Sequence, residues 1–423
     1  MTRPPLASPP PIPPGTRPSA QAHALAAALL AIAATAVAPG QERPAAAPDA
    51  AAPPAWGTID PLTAASGRTR FHVATPPADG RVAVPKGFPQ IVRAMLATAD
   101  GPRDLPVELS ADASTVAILL PAPAAAAPAA GPLTIDVDAL DKTGQFDDGR
   151  IGLTALDAEV VGKTARLESH PGNHRIGFWS DAADAVQWKL AATRWGMYDV
   201  RLTYSSAAPA GTEIAVDVGG TVLTGTLAST GGWYRYETLP LGRVYLAQAG
   251  DHRVAVRCTK KVGGAVMNLK AVSLEPACEG QPPVQAADGS VLLHGRDATV
   301  RGTVLRYEPA EKKQTLGFWV RPTDAAEWTF TLHAAGTFDV EVLQGCGPGN
   351  GGSTMRAAFD GGGAADRELT FVVEETTGFQ DFKPRVIGRV TLAVGGHRLR
   401  VGPEKIAAKA ACDIRQVRLV PAE

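Results

Sequence analysis

The sequence predicts an all-β chain: two tandem jelly-roll β-sandwiches, preceded by a small β-domain and a signal or linker segment. Three observations predict it. One unit of the second half is written twice. Apolar and polar residues alternate at period two in short runs, the pattern of strands with one buried face. The 423 residues include 44 Gly and 36 Pro, which leave little room for long helices.

Charge excludes one class at the outset. There are 41 Lys+Arg against 42 Asp+Glu, a formal net charge of −1. A nucleic-acid binder needs a clustered basic excess. Four cysteines are too few for a disulfide scaffold in a chain of this length.

The elements follow in chain order. Residues 1–20 are Pro-rich and favour extended polyproline geometry. An uncharged Ala/Leu run follows from His23 to Ala38, behind Arg3 and Arg17. With Ala34-Thr35-Ala36 as a small-residue cleavage site, residues 1–38 read as a secretory signal peptide, the alternative being an anchor. Export to the periplasm, cell surface or medium is therefore expected, with no membrane contact beyond this segment. Residues 39–65 read as a Pro/Ala-rich linker. Residues 66–140 carry short apolar runs at Phe71–Val73, Arg81–Pro85, Leu105–Leu109, Thr115–Pro121 and Leu133–Asp138, as a small β-domain would. Ile91–Leu96 reads equally as a strand or as one helical turn. Ala122–Pro132 reads as an elongated hairpin loop.

From residue 150 the repeat sets the architecture. Ile176-Gly177-Phe178-Trp179 recurs as Leu316-Gly317-Phe318-Trp319, 140 residues on (316 − 176). Trp188 and Trp328, Gly196 and Gly336, and Asp199 and Asp339 keep that spacing. Later matches drift by insertion: Gly242-Arg243-Val244 with Gly388-Arg389-Val390, His252 with His397, and Leu269–Pro276 with Ile414–Pro421. Two modules are expected, 150–277 and 288–423, joined by a linker at 278–287. Val186, Trp188 and Leu190 share one face in the first, as Trp328, Phe330 and Leu332 do in the second, so core packing is expected for Trp188 and Trp328.

The order of Gly-Phe-Trp, core Trp, Gly-aromatic-Asp-Val, Gly-Gly-Trp, Gly-Arg-Val and a final strand resembles family-6 carbohydrate-binding modules of the galactose-binding-like superfamily. It resembles in particular the modules appended to bacterial α-L-fucosidases and sulfatases. Residues 66–138 resemble, more faintly, the small β-domain that follows the barrel in such fucosidases. The stretch before residue 66 is too short for the roughly 250 residues of a (β/α)₈ barrel.

The resemblance implies glycan binding by a non-catalytic protein. Sugar rings need flat aromatic faces and a few fixed polar groups. The family's binding aromatic sits in a Gly-Gly-Trp turn and its binding Asn opens the last strand. Trp233 and Asn268 match these in the first module. Phe379 and Asp413 stand at their places in the second, a departure at both. The first module is therefore the expected binder. His174 and Trp179 lie where the second sandwiching aromatic belongs, and the Tyr expected there is missing, although Trp179 also reads as a packing residue. Two further readings compete: an accessory protein whose modules hold a glycosidase or sulfatase partner, and a barrel-less remnant of a fucosidase-like enzyme.

Other chemistry is thinly supported. In His170-Pro171-Gly172-Asn173-His174 the Pro and Gly exclude the helix that would align two metal ligands. Asp181/Asp184 and Glu374/Glu375 are acid pairs without an implied pocket. No cofactor is expected. A structural Ca²⁺, weighed at Glu168 and Glu308, lacks the dense Asp/Asn loop such a site uses. Cys346 and Cys412 occur together in one repeat and are both absent from the other, which predicts a disulfide between them in an exported protein.

Overall fold

A computed structural model describes residues 54–422, apart from 64, 99–100, 111–113, 122–130 and 362–366. The expected signal segment and most of the hairpin insert lie outside the described residues. Those described, from residue 54 on, fall in one compact unit. Among them the helices are two 3₁₀ turns, Ala155–Asp157 and Gly295–Asp297, and none is long and apolar enough to cross a membrane.

Each repeat forms two packed antiparallel sheets of one design. In the first, one sheet runs Arg166–Glu168, Arg175–Gly177, Asn268–Ala277, Gly196–Ser206, Gly232–Leu246, with Ile151–Thr154 also on Asn268–Ala277. The facing sheet runs Glu159–Val161, Ala185–Ala192, Gly250–Lys260, Thr212–Val218, Thr221–Leu227. The second repeat copies this order strand for strand, from Arg306–Glu308 to Asp413–Pro421. These are jelly-roll β-sandwiches. The period-two faces close on two apolar cores, one holding Trp179, Trp188, Tyr198 and Val216, the other Trp319, Trp328, Phe338 and Val340.

The repeated residues hold the same posts. Trp188 Nε1 donates to the Thr154 carbonyl at 2.8 Å, and Trp328 Nε1 to the His294 carbonyl at 2.8 Å. The Gly-Arg-Val motif marks a bulge. Val200 pairs with Gly242 but Arg201 with Pro240, and Val340 pairs with Gly388 but Glu341 with Val386. One extra residue on the outer strand is absorbed where Gly242 and Gly388 take φ of 132° and 153°. A Cβ at Gly388 would also stand 2.8 Å from Leu369.

The small β-domain begins earlier than its composition predicts. Gly57–Ile59 pairs with Arg68–Val73, and Trp56 is buried, stacked on Phe71 at 5.3 Å with Nε1 bonded to the Ala83 carbonyl. The stretch 39–65 is therefore not linker throughout, because an apolar Trp56 has a core to enter. Ile91–Leu96 is a strand of the same sheet. A second set of strands, Val107–Leu109, Val116–Leu119 and Arg81–Ala83, continues the first sandwich: Arg235 pairs with Glu108 and Tyr236 with Val107. Tyr236 belongs to the small domain's apolar core. The outer face of that sandwich sheet is thus covered, with Thr203 Oγ1 donating to the Val92 carbonyl at 2.8 Å.

The two sandwiches also meet. Arg194, buried, donates from Nε to the Gly302 carbonyl at 2.9 Å and from Nη2 to the Val300 carbonyl at 3.2 Å. Trp195 Nε1 donates to the Tyr307 carbonyl at 3.0 Å. Glu275 receives Arg301 of the second sandwich at 2.7 Å and Arg68 of the small domain at 3.5 Å. One carboxylate therefore ties three bodies together.

Candidate functional site

The Gly-Phe-Trp motif builds the rim of each sandwich. Trp179 enters the core, fully buried, and so does Trp319. Phe178 and Phe318 go outward from left-handed backbone, φ 53° and 68°, a conformation that costs a bulky residue about 1–3 kcal/mol. Phe178 is 54% exposed, with the Arg166 guanidinium stacked 3.7 Å above its ring. The glycine before it is needed for room: a Cβ at Gly177 would stand 1.8 Å from Glu168 Oε1 and 3.0 Å from Asn268 Oδ1.

Asn268 and Trp233 meet at the same rim. Asn268, buried at the start of the last strand, donates from Nδ2 to the Trp233 carbonyl at 2.8 Å. Ser205 Oγ donates to that same carbonyl at 2.8 Å. The turn carrying Trp233 is thereby fixed from two strands, and the half-buried indole is held on a rigid base. Glu168 is paired with Arg175 at 2.7 Å, and the Arg175 guanidinium lies 5.3 Å from the centre of the Tyr234 ring. The rim thus offers a half-buried indole, an exposed phenyl ring and a part-exposed carboxylate, while Arg175 and Asn268 are themselves buried.

Several expected site residues lie elsewhere. Trp179 cannot touch a ligand, because it is fully buried in the sandwich core. Phe178 takes the outward place and was missed; it lies past the end of the Arg175–Gly177 strand in left-handed backbone, so strand alternation does not mark it. His174 leaves the rim. Its backbone N–H donates to Gln90 Oε1, its Nδ1 lies 3.1 Å from Ser169 Oγ, and its side chain lines a cavity against the small domain.

The second rim differs. The Phe379 ring lies where a Cβ on Gly347 would meet it at 2.8 Å, so it packs on its own loop. Asp413 is buried beside Glu308, across Gly317. Burial first, then the Glu308 charge, pushes its carboxyl up to about 7. Phe318 carries Arg306 at 3.5 Å, and the other neighbour of that guanidinium is Trp195 of the first sandwich at 4.0 Å. This rim is built into the junction.

The weighed metal and catalytic groups are otherwise engaged. Glu308 pairs with Lys313 at 2.6 Å, as Glu168 does with Arg175, so neither carboxylate of the considered Ca²⁺ site stands clear of a cation. Among the described residues no three His, Cys, Asp or Glu side chains gather to hold a metal. Asp184 accepts from the backbone N–H groups of Lys163, Thr164 and Ala165 and from Thr164 Oγ1 at 2.6–2.9 Å. Against the desolvation of its site, these donors hold its carboxyl down to about 2. Glu375 accepts from Gly349 and Gly351 N–H. The expected disulfide is not formed: Cys346 and Cys412 are free and buried, and Cys346 Sγ bonds instead to the Ala411 carbonyl at 3.5 Å.

Comparison with known proteins supplies a family for part of the chain. Residues 159–276 match the model of the carbohydrate binding module (family 6). No curated protein matches the chain by sequence. Among solved structures, a family 35 carbohydrate binding module from Clostridium thermocellum is 18% identical, covering 30% of this chain and 97% of its own, with a TM-score of 0.26. The C-terminal family 6 module of the laminarinase LamC from Zobellia galactanivorans is 17% identical, covering 30% and 98%, with a TM-score of 0.25. A Paenibacillus xanthan lyase is 12% identical, covering 84% of this chain and 33% of its own, with a TM-score of 0.29.

Proposed function

We propose that the chain is an exported, non-catalytic carbohydrate-binding protein that holds glycan at the rim of the first sandwich, against Trp233 and Phe178. The family match falls on this sandwich. The observation that carries the reading is the pair of aromatics displayed on rigid bases at one rim. Trp233 is fixed by Asn268 and Ser205, and Phe178 is turned out at a strained backbone position. Apolar C–H faces of a pyranose stack on such rings, while the part-exposed Glu168 carboxylate offers a hydroxyl partner. The second sandwich is a spacer in this reading, since its rim is engaged by Trp195. Export rests on the signal-like 1–38 segment, and a separately encoded glycosidase or sulfatase would act on the captured polymer.

A glycan screen with wild type, Phe178→Ala and Trp233→Ala tests this. The expected result is millimolar or tighter binding by wild type, at least tenfold weaker in both variants. Absence of glycan binding, or binding unchanged in both, overturns the reading in favour of a protein partner.

A further inference from the structure

A second site lies apart from the rim, between the small domain and the first sandwich. A cavity of about 600 Å³ is walled by Val84, Phe88, Ile91, Val107 and Val116 on one side, and by the Pro171–His174 loop and Lys270 on the other. Its size is that of a small-molecule pocket, typically about 300–1,000 Å³.

Lys270 is the unusual member. It is 1% exposed, on the outer face of the last strand. Its Nζ makes one long hydrogen bond, 3.4 Å, to the Ile91 carbonyl and lies 3.9 Å from the centre of the Tyr236 ring. No ion pair involves it among the described residues. Beyond the lining, buried donors without acceptors among the described residues include Gln90 Nε2, whose residue bonds His174, Asn173 Nδ2, whose residue bonds Tyr236, and Arg175 Nε. The Gln90 amide cannot simply be turned over, because its Oε1 already accepts from His174 N–H, a group that only donates. A buried cation among surplus donors destabilises a fold unless something negative joins it.

The sandwich itself does not demand this arrangement. The corresponding residue of the second repeat, Arg415, is satisfied by the Lys312 and Lys313 carbonyls at 2.8–3.0 Å and covers Phe382 at 3.9 Å. We infer that the cavity binds a small organic anion, its carboxylate or sulfate accepting from Lys270 Nζ and its ring-sized body lying against Phe88 and the valine wall. Burial, then the neighbouring Arg175 charge, lowers the Lys270 ammonium to about 7, as an uncompensated site would.

The test is calorimetric titration of the full chain with benzoate, glucuronate and glucose 6-sulfate, with benzamide and glucose as their uncharged counterparts. The three anions separate carboxylate from sulfate and aromatic from sugar bodies. At least one anion is expected to bind at least tenfold more tightly than its neutral counterpart. That binding should fall at least tenfold in Lys270→Met and in Ser114→Trp, which fills the cavity from an exposed lining position. Phe178→Ala should leave it unchanged, so failure here and failure of the rim reading are distinguishable. The inference is overturned if no anion outbinds its neutral counterpart, or if binding persists undiminished in the two variants while both remain folded.

Discussion

Phe178 and Trp179 are neighbours in sequence and opposites in place: the first is 54% exposed and the second 0%. The left-handed backbone at Phe178 turns its ring out, and Trp179 anchors the same rim in the core. Their substitutions should therefore separate binding from stability. Phe178→Ala should weaken glycan binding at least tenfold, about 1.4 kcal/mol, with little change in melting. Trp179→Ala should lower stability by roughly 3–5 kcal/mol. Paired affinity and thermal-melt measurements check both.

Asp184 clamps the loop 163–165 through three backbone donors and one hydroxyl. Its carboxyl sits at about 2, below its ordinary 3.8. The stabilisation is therefore complete above pH 4 and lost as pH falls toward 2. Asp184→Ala should cost about 3 kcal/mol at pH 7, and the gap to wild type should close in acid. Urea melts at pH 7 and pH 2.5 measure it.

Lys270 should show the opposite economy. Its ammonium titrates at about 7 when folded and 10.5 otherwise, so its penalty is full below pH 7 and fades toward pH 10. The titratable groups facing it are Arg175 and Tyr236, with Lys86, His174 and Asp141 on the cavity walls. Lys270→Met should raise stability by roughly 1–4 kcal/mol at pH 6 and by much less at pH 10. Melting curves across this range decide the sign.

Asp413 occupies the place that Asn268 holds in the first repeat. Burial and Glu308 raise its carboxyl to about 7 from 3.8. Its cost is absent below pH 4 and complete above pH 7. Asp413→Asn should stabilise the protein by roughly 1–3 kcal/mol at pH 8 and leave it unchanged at pH 4, read by differential scanning calorimetry.

The sandwiches were legible in the sequence because a core fixes register. Trp188 and Trp328 cannot shift by one residue without turning a whole strand inside out. The bulges were readable only as matching glycines, since their function appears with the pairing partner. The Trp233–Asn268 contact joins the starts of two strands, Gly232–Leu246 and Asn268–Ala277, that are far apart in sequence. Phe178 escaped because its outward turn comes from a left-handed position past the strand end, which alternation does not mark. The pairing of Arg235 with Glu108 was invisible, as edge strands carry no local mark of what will extend them. Lys270 went unnoticed for a related reason: its burial is imposed by the small domain, not by its own strand. Cys346 and Cys412 were placed in one core, but shared burial does not itself form a bond.

The most direct measurement is hydrogen–deuterium exchange of the full chain with and without a glycan found in the screen. Binding at the first rim predicts slowed exchange across 177–180 and 229–235, with 316–320 and 376–381 unchanged. Protection confined to the second sandwich, or absent from both rims while glycan is bound, would contradict it.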